Sequence, residues 1–402
     1  MKYQVPRGTQ DYFGVEIEKI DYIFNVFKEI VSLYNFKKIK TPVFEDASLF
    51  TRSIGEGSEI VTKQMYTFKD RAGRLLALRP EGTAPVVRAV IADNLLKNLP
   101  LKLYYIGEMF RYERPQKDRR REFLQMGAEI FGGKEAVFDV ELVEISSKIF
   151  KKLGIQYTLK INYIGCINCR TDYTQNLKRH LKKKLKLLCE DCRQRFEKNV
   201  LRVFDCKNPQ CQKVFSDFPT ITQNLCEDCR QNFEKIKSLL DAKKIKYEVA
   251  EKLVRGLDYY NGFVFEFFTS GIRDAIGAGG RYDSLVEELG GRPTPACGFA
   301  IGVERILPVV KFEKKREGFL IAGIGISEEK LEELADFLRE NFKKAFVFRK
   351  KKISDALKFA SDENFLYAII IGEDELKEGV YSVKNLYTGE QKKLKKEEIL
   401  KL

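Results

Sequence analysis

The sequence predicts a soluble chain of mixed helices and strands in two to three domains, closed by a small α/β domain. Three observations carry that expectation. The length of 402 residues suits two to three domains at roughly 150 residues each. Apolar residues make up 44%, enough for buried cores, which argues against whole-chain disorder, collagen or a small disulfide scaffold. Over 318–371, strand-like and helix-like patterns alternate, which implies parallel pairing. No stretch approaches the ~18 apolar residues of a membrane span, and Met1 to Gln10 lacks the apolar core of a signal peptide. A cytoplasmic protein with no membrane partner is expected.

The chain opens with a helix. Ile20, Phe24, Phe27, Ile30, Val31 and Tyr34 recur at spacings of three and four, an apolar stripe on one face. An extended stretch over 36–41 ends before Pro42, because the residue preceding a proline avoids the helical region. Strands are expected over 74–78, 103–108 and 264–268, and helices over 85–96 and 137–153. In the last segment a buried-type strand over 318–326 precedes Ser327, an N-cap candidate. The helix after it places Leu331, Leu334, Ala335, Leu338 and Phe342 on one face. A strand over 345–348, a helix over 354–361 and a strand over 366–371 complete the alternation.

Charge is unevenly spread. Lys+Arg is 72 against 58 Asp+Glu, a net of +14. That favours a polyanionic partner, nucleic acid or an acidic membrane, although a solvated Lys/Glu-rich surface accounts for it equally well. Residues 166–246 hold 19 Lys+Arg, 10 Asp+Glu and eight of the nine cysteines, a net of +9. Residues 316–402 are balanced at 17 and 17. The middle segment is therefore treated as a domain of its own. Trp is absent and Met numbers four, a weak lean towards a heat-adapted source. The single histidine, His180, sits among Lys178, Arg179 and Lys182 to Lys184 and is expected on the exposed side of a basic helix. Histidine triads and His-ligated zinc hydrolases are thereby excluded. Chemistry must run on Arg, Glu, Gln, Tyr, backbone groups or a metal.

Several stretches could carry that chemistry. In Arg79-Pro80-Glu81-Gly82-Thr83-Ala84 a strand turns into a helix. A carboxylate and a hydroxyl there could receive an ammonium group, or Thr83 could simply cap the helix ahead of Pro85. Phe110-Arg111-Tyr112-Glu113-Arg114-Pro115-Gln116 continues to Arg119, Arg120, Arg121 and Phe123, a loop with five arginines between apolar strands. Arginine supplies a permanent bidentate donor for phosphate or carboxylate; the structural alternative is a solvated hairpin. Gln125 and Glu129 are four apart on the following strand and face one side. Arg255-Gly256-Leu257-Asp258-Tyr259-Tyr260, Gly279-Gly280-Arg281-Tyr282-Asp283 and Gly298 to Arg305, with Gly302 before Arg305, complete the set. Neither a dinucleotide fingerprint nor a Walker A loop is present.

Together, and in this order, these motifs resemble those of histidyl-tRNA synthetases, a class II aminoacyl-tRNA synthetase family. The resemblance runs from Pro6-Arg7-Gly8-Thr9 to the C-terminal α/β segment, and Arg-Gly-Leu-Asp-Tyr-Tyr is its most specific part. It implies an α+β catalytic domain over 1–165 plus 247–315, with a class II antiparallel sheet of six strands flanked by helices. It also implies an inserted, mainly helical domain over 166–246 that contacts tRNA, and an α/β anticodon-binding domain over 316–402. The implied activity is ATP-dependent activation of histidine to histidyl-adenylate, then transfer to the 3′ end of tRNA(His). ATP, Mg2+, L-histidine and tRNA(His) are the implied cofactors and partners. A cytoplasmic homodimer is implied, with the opening helix and Pro42 at the dimer interface.

By the same resemblance, Glu81, Gly82, Thr83, Arg111, Gln125, Glu129, Arg255, Tyr259, Tyr260 and Tyr282 bind histidine. Arg111, Glu113, Arg119, Arg121, Phe123, Gly302 and Arg305 bind ATP, with Arg111, Arg255 and Arg305 catalytic. Gln116, Arg119 and Arg121 contact tRNA. The chemistry agrees: in-line displacement at phosphorus needs alignment and charge neutralisation rather than a strong base. A neutral imidazole offers one donor and one acceptor, which a carboxylate and a phenol can satisfy. Leu124, where the family commonly has histidine, and Asn261-Gly262-Phe263 depart from the family pattern. Two rivals share parts of the pattern: a regulatory paralogue of histidine biosynthesis, and an RNA-binding module with a dead site. The first usually lacks the Arg255 stretch and the anticodon-type segment, and intact arginines speak against the second.

The remaining cysteines are Cys166-x2-Cys169, Cys189-x2-Cys192, Cys206-x4-Cys211 and Cys226-x2-Cys229. Eight thiolates suffice for two structural Zn2+ sites, while disulfides or free thiols remain the alternative. The spacing does not say which pair joins which. Cys297 stands alone and is expected to be a small buried residue.

Overall fold

The structure is a computed structural model that describes residues 3–56, 58–114, 119–216, 218–349 and 352–402. Gln116 of the arginine loop, and Lys350 and Lys351 of the C-terminal basic run, lie outside the described residues. The chain forms two compact units that divide between Phe312 and Glu313.

The first unit opens with helix α1 (Val15–Leu33), whose Ile20, Ile23, Phe27, Ile30 and Val31 are buried. The extended stretch is shorter than expected. Only β1 (Lys37–Lys38) pairs, as a parallel edge. Next come β2 (Phe44–Asp46), α2 (Ala47–Ile54), β3 (Thr67–Lys69), β4 (Leu75–Leu78) and α3 (Thr83–Ala92). Helix α3 stops at Ala92, before the left-handed Asn94, not at residue 96 as its pattern suggested. The long hairpin β5 (Leu101–Phe110) and β6 (Glu122–Phe131) leads to α4 (Ala136–Lys152) and β7 (Thr158–Tyr163).

The chain then leaves the sheet through helices α5 (Ile167–Lys182), α6 (Glu190–Lys198), α7 (Pro209–Phe215) and α8 (Glu227–Ala242). It returns at β8 (Glu248–Val249), β9 (Asn261–Phe268), β10 (Gly277–Arg281), α9 (Leu285–Glu288), β11 (Ala296–Gly302) and α10 (Val303–Ile306). Among the described residues the main sheet runs β1-β5-β6-β11-β10-β9-β7-β8. Its six inner strands are all antiparallel, and two-residue parallel strands finish the edges. One face carries the core. Met126, Ala128, Ile130, Phe263, Phe265, Phe267, Phe299 and Ile301 pack there against α1, α4 and α8. The middle segment folds into this same unit. Helix α8 puts Phe233, Ile236 and Leu240 into the sheet core, while α5 to α7 add Leu177, Leu181 and Phe215 to a second cluster with Tyr259, Tyr260 and Tyr282. His180 is half-buried rather than exposed, its ring 5.0 Å from that of Phe218.

The second unit contains β12 (Phe319–Gly323), α11 (Glu328–Glu340), β13 (Ala345–Val347), α12 (Ile353–Asp362) and β14 (Tyr367–Ile371). The strands pair parallel, as the alternation required. Helix α13 (Glu373–Glu378), antiparallel β15 (Tyr381–Asn385) and β16 (Gln391–Leu394), and α14 (Lys396–Ile399) complete it. Ser327 takes the N-cap position, but its side chain makes no capping bond. Leu331, Leu334, Ala335 and Leu338 are buried as expected. Phe342 is not: it adopts φ 58° beyond the helix end and is 99% exposed. Its N–H bonds Arg339 O and that of Lys343 bonds Leu338 O. A left-handed residue closing the helix swings this ring off the apolar face.

Candidate active site

The face of the main sheet opposite the helices holds a cavity of about 580 Å³, within the roughly 300–1,000 Å³ typical of ligand sites. Strand alternation creates it. Met126, Ala128 and Ile130 point into the core, so Gln125, Gly127 and Glu129 point the other way. On β11 the same face carries Gly298, Ala300 and Gly302, and on β10 it carries Ala278. These residues add little bulk, so the middle of the sheet stays open. The Gly277 to Gly280 run is thus the interior of a strand and not a phosphate loop.

Part of the cavity wall is carboxylate and phenol. Glu81, 3% exposed, accepts from Thr83 N at 2.7 Å and Ala84 N at 2.8 Å. The carboxylate, not the Thr83 hydroxyl, therefore caps α3. That hydroxyl donates instead to Glu129 Oε1 at 2.8 Å. The Tyr282 hydroxyl donates to Glu129 Oε2, and Tyr259 to Glu81 Oε2 at 3.4 Å. The rings of Tyr259, Tyr260 and Tyr282 pack with centroids 4.8 to 6.4 Å apart. Burial pushes the Glu129 carboxyl up to about 8, the Tyr282 and Thr83 hydrogen bonds restrain it, and the charge of Glu81 adds to the rise. A pocket that buries two carboxylates suits a ligand rich in N–H donors or positive charge. Glu81, Thr83, Gln125, Tyr259 and Tyr260 form the cavity wall; Glu129 and Tyr282, each 1% exposed, lie behind it.

The cavity is also cationic. Arg111, Arg255 and Arg305, from three distant stretches, all line the cavity together with Arg119, Glu113, Phe123 and Gly302. Arg111 Nε donates to Pro80 O at 2.8 Å, and its guanidinium lies 5.3 Å from the Phe123 ring. Arg255 pairs with Glu266 and lies 5.3 Å from the Tyr260 ring; its buried Nε has no partner. Arg305 Nη1 donates to Ala275 O at 2.8 Å. Arg119 bridges Glu113 at 3.2 Å and Asp274 at 2.9 Å. Burial lowers the Arg111 and Arg305 pKa values; the charge of Arg305 adds to the fall at Arg111, and those of Arg119 and Arg255 to the fall at Arg305. Such mutual repulsion in a partly desolvated cleft is relieved by a polyanion.

Besides Glu129 and Tyr282, two further expected contacts fall outside the cavity lining. Arg121 does not line the cavity; its guanidinium lies 3.9 Å from the Tyr112 ring, and its N–H bonds Gly8 O. Gly82 lies beneath the Tyr105 ring, where a Cβ would clash. The sequence reading missed Tyr105, Glu266, Asp274, Glu304 and Lys207. Tyr105 faces Gly127 between Gln125 and Glu129 and donates to Gln125 Oε1 at 3.3 Å; its alternation with Leu103 and Gly107 was the available signal. Glu304 accepts from Leu124 N at 2.9 Å and Tyr12 Oη at 2.9 Å, tying α10 to β6.

The cysteines gather into two groups, Cys166, Cys169, Cys226 and Cys229, and Cys189, Cys192, Cys206 and Cys211. Cys297 is fully buried by itself. In each group the sulfurs lie within 4.8 Å of one another. Cys166 and Cys169 are 3.6 Å apart and Cys189 and Cys206 are 3.8 Å apart. A disulfide needs about 2.05 Å, whereas a tetrahedral zinc with Zn–S bonds of about 2.3 Å spaces its sulfurs roughly 3.8 Å apart. Backbone N–H groups of Cys166, Cys189 and Cys226 point at Cys229, Cys211 and Cys169 Sγ at 3.2 to 3.3 Å, as suits thiolates.

Comparison with known proteins gives a consistent result. Residues 8–306 match the family model for histidyl-tRNA synthetase, and 318–402 match that for an anticodon binding domain. The histidine–tRNA ligase of Thermosipho africanus is 44% identical, covering 99% of this chain and 98% of its own. That of Thermodesulfovibrio yellowstonii is 45% identical over 100% and 98%. The crystal structure of apo Staphylococcus aureus histidyl-tRNA synthetase superposes with a TM-score of 0.82 at 32% identity, covering 100% and 99%.

Proposed function

The chain belongs to the histidyl-tRNA synthetase family, and from that membership we infer that it is a histidine–tRNA ligase, charging tRNA with histidine in translation. One observation carries the reading at the level of residues. A single cavity gathers three guanidinium groups beside a buried carboxylate–phenol cluster.

In this reading Glu81, Thr83 and Gln125 take the α-amino group and backbone of histidine. Tyr259 and Tyr260 face the imidazole, and Glu129 with Tyr282 backs that wall, Glu129 positioning Thr83. The histidine carboxylate attacks the α-phosphorus of ATP, the bond to the β-phosphate oxygen breaks, and pyrophosphate leaves. Arg111 aligns carboxylate with α-phosphate, Arg255 neutralises charge developing there, and Arg305 holds the γ-phosphate end. No side-chain base is needed, because the attacking carboxylate is already ionised. The terminal ribose hydroxyl of tRNA then takes the histidyl group, releasing AMP. Mg2+ neutralises phosphate charge when bound. Glu113 and Asp274 each meet Arg119 through one oxygen and are the cavity carboxylates suited to hold it.

Zn2+ fits both four-cysteine groups in donor type, number and spacing, and would brace the middle segment. Its basic surface and Arg119 suit the acceptor arm of tRNA, with Gln116 and Arg121 in the same loop. Residues 318–402 suit the anticodon. Among the described residues no helix is long and apolar enough to cross a membrane, compatible with work in the cytoplasm. Phe44 and Phe68, exposed on one face of the β2-β4-β3 sheet with ring centroids 6.3 Å apart, are apolar surface that supports a homodimer.

Histidine-dependent ATP–pyrophosphate exchange tests the reading. The wild type should exchange, and Glu129→Ala should lose on the order of 100-fold or more. Near wild-type exchange by that variant would remove Glu129 from the pocket. A wild type that binds RNA but exchanges with no amino acid would overturn the ligase.

A further inference from the structure

One cation of the cavity comes from the middle segment. Lys207 lines the same cavity as Arg119, Asp274 and Arg305, although it lies 98 residues before Arg305 in the chain. Its backbone is held on both sides. Cys206, buried in the second cysteine group, accepts from Asn208 N at 3.4 Å through its Sγ, and from Gln212 Nε2 at 3.2 Å through its carbonyl. Asn208 caps α7 through Gln210 N at 2.9 Å.

The charges around Lys207 say which part of a ligand it would meet. Asp274 pairs with Arg119 through one oxygen. Burial raises its pKa, but the hydrogen bond and charge of Arg119, then Arg305 and Lys207, bring it below the ordinary value. Lys207 is therefore a further positive charge of the cavity that acts on Asp274 alongside Arg119 and Arg305. A lysine ammonium is a compact charge on a long flexible stem, suited to a mobile terminal phosphate.

We propose that Lys207 binds the β- and γ-phosphates of ATP, and the pyrophosphate they become, reaching the cavity from the Cys206 to Cys211 turn. The proposal rests on the ligase reading above and adds a phosphate ligand supplied by the middle segment.

Exchange kinetics of the full chain test it. Lys207→Ala should raise KM for ATP and for pyrophosphate about tenfold while leaving KM for histidine and the affinity for AMP unchanged, and Lys207→Arg should restore most of the loss. Unchanged KM for ATP and pyrophosphate in Lys207→Ala overturns the proposal. So does a defect confined to KM for tRNA, which would make Lys207 an RNA contact. A wild type without histidine-dependent exchange would instead remove the reading beneath it.

Discussion

Glu129 shows how one buried residue sets a pH dependence. Its carboxyl sits with Thr83 and Tyr282 as partners, and burial lifts it from 4.5 to about 8. Below pH 4.5 the group is protonated in folded and unfolded chains, so its full contribution is present. Between 4.5 and about 8 the unfolded chain releases a proton that the folded one keeps, and stability falls by up to roughly 1.4 kcal/mol per pH unit. Glu129→Gln, neutral throughout, should flatten that slope. Urea unfolding of both proteins at pH 5 and pH 8 should show the larger loss in the wild type; equal losses would mean the carboxyl is ionised in the folded chain. Arg281 makes the opposite kind of point. It belongs to a motif singled out for chemistry, yet it forms a buried pair with Asp139 at 2.7 Å and donates to Gly133 O at 2.7 Å, so its work is structural. Residue type alone could not separate Arg281 from Arg111, since both guanidinium groups look alike until their partners are known.

Among elements, strands were the most legible and turns the least. Period-2 alternation placed Gln125 and Glu129 on one face correctly, and β11 extends the pattern with Gly298, where a Cβ would overlap Glu129 Oε2. Two helix ends differ from the pattern where left-handed residues intervene, at Asn94 and Phe342: asparagine adopts that conformation readily and is a stop signal the apolar pattern overrode, whereas nothing local announces it at a phenylalanine. The cysteine turns were legible as ligand pairs but not as partners. Strands β7 and β8 lie side by side, so the two ends of the middle segment are neighbours, and Cys166 and Cys169 meet Cys226 and Cys229 there. Metal analysis should find about two equivalents of zinc per chain. Cys189→Ser and Cys226→Ser should each retain about one, and fewer than half an equivalent in the wild type would end the zinc reading.

At the scale of the molecule, the two units have separate cores: Phe319, Ile321, Leu334, Leu338 and Ile369 belong to the second alone. The cavity is built entirely within the first. A chain ending at residue 312 should therefore keep histidine-dependent exchange, while charging of tRNA falls about 100-fold through loss of the segment that matches the anticodon binding domain. Exchange that disappears with the second unit, in a truncated chain that still folds, would show that the first is not self-sufficient.

The sequence by itself determined the inventory. It supplied the strands and helices with strong periodicity, a site that uses no histidine side chain of its own, the arginines and carboxylates able to bind a nucleotide and an amino acid, and the family those motifs resemble. Only the tertiary structure decided which of them meet. It brought Arg111, Arg255 and Arg305 to one cavity, sent Arg281 to Asp139, sorted eight cysteines into two groups and delivered Lys207 to the same cavity as the arginines. The reason is physical. Periodicity and capping act over a few residues, whereas these meetings depend on strand order, on small residues that keep a sheet face open, and on a middle segment that leaves and re-enters the fold at adjacent strands.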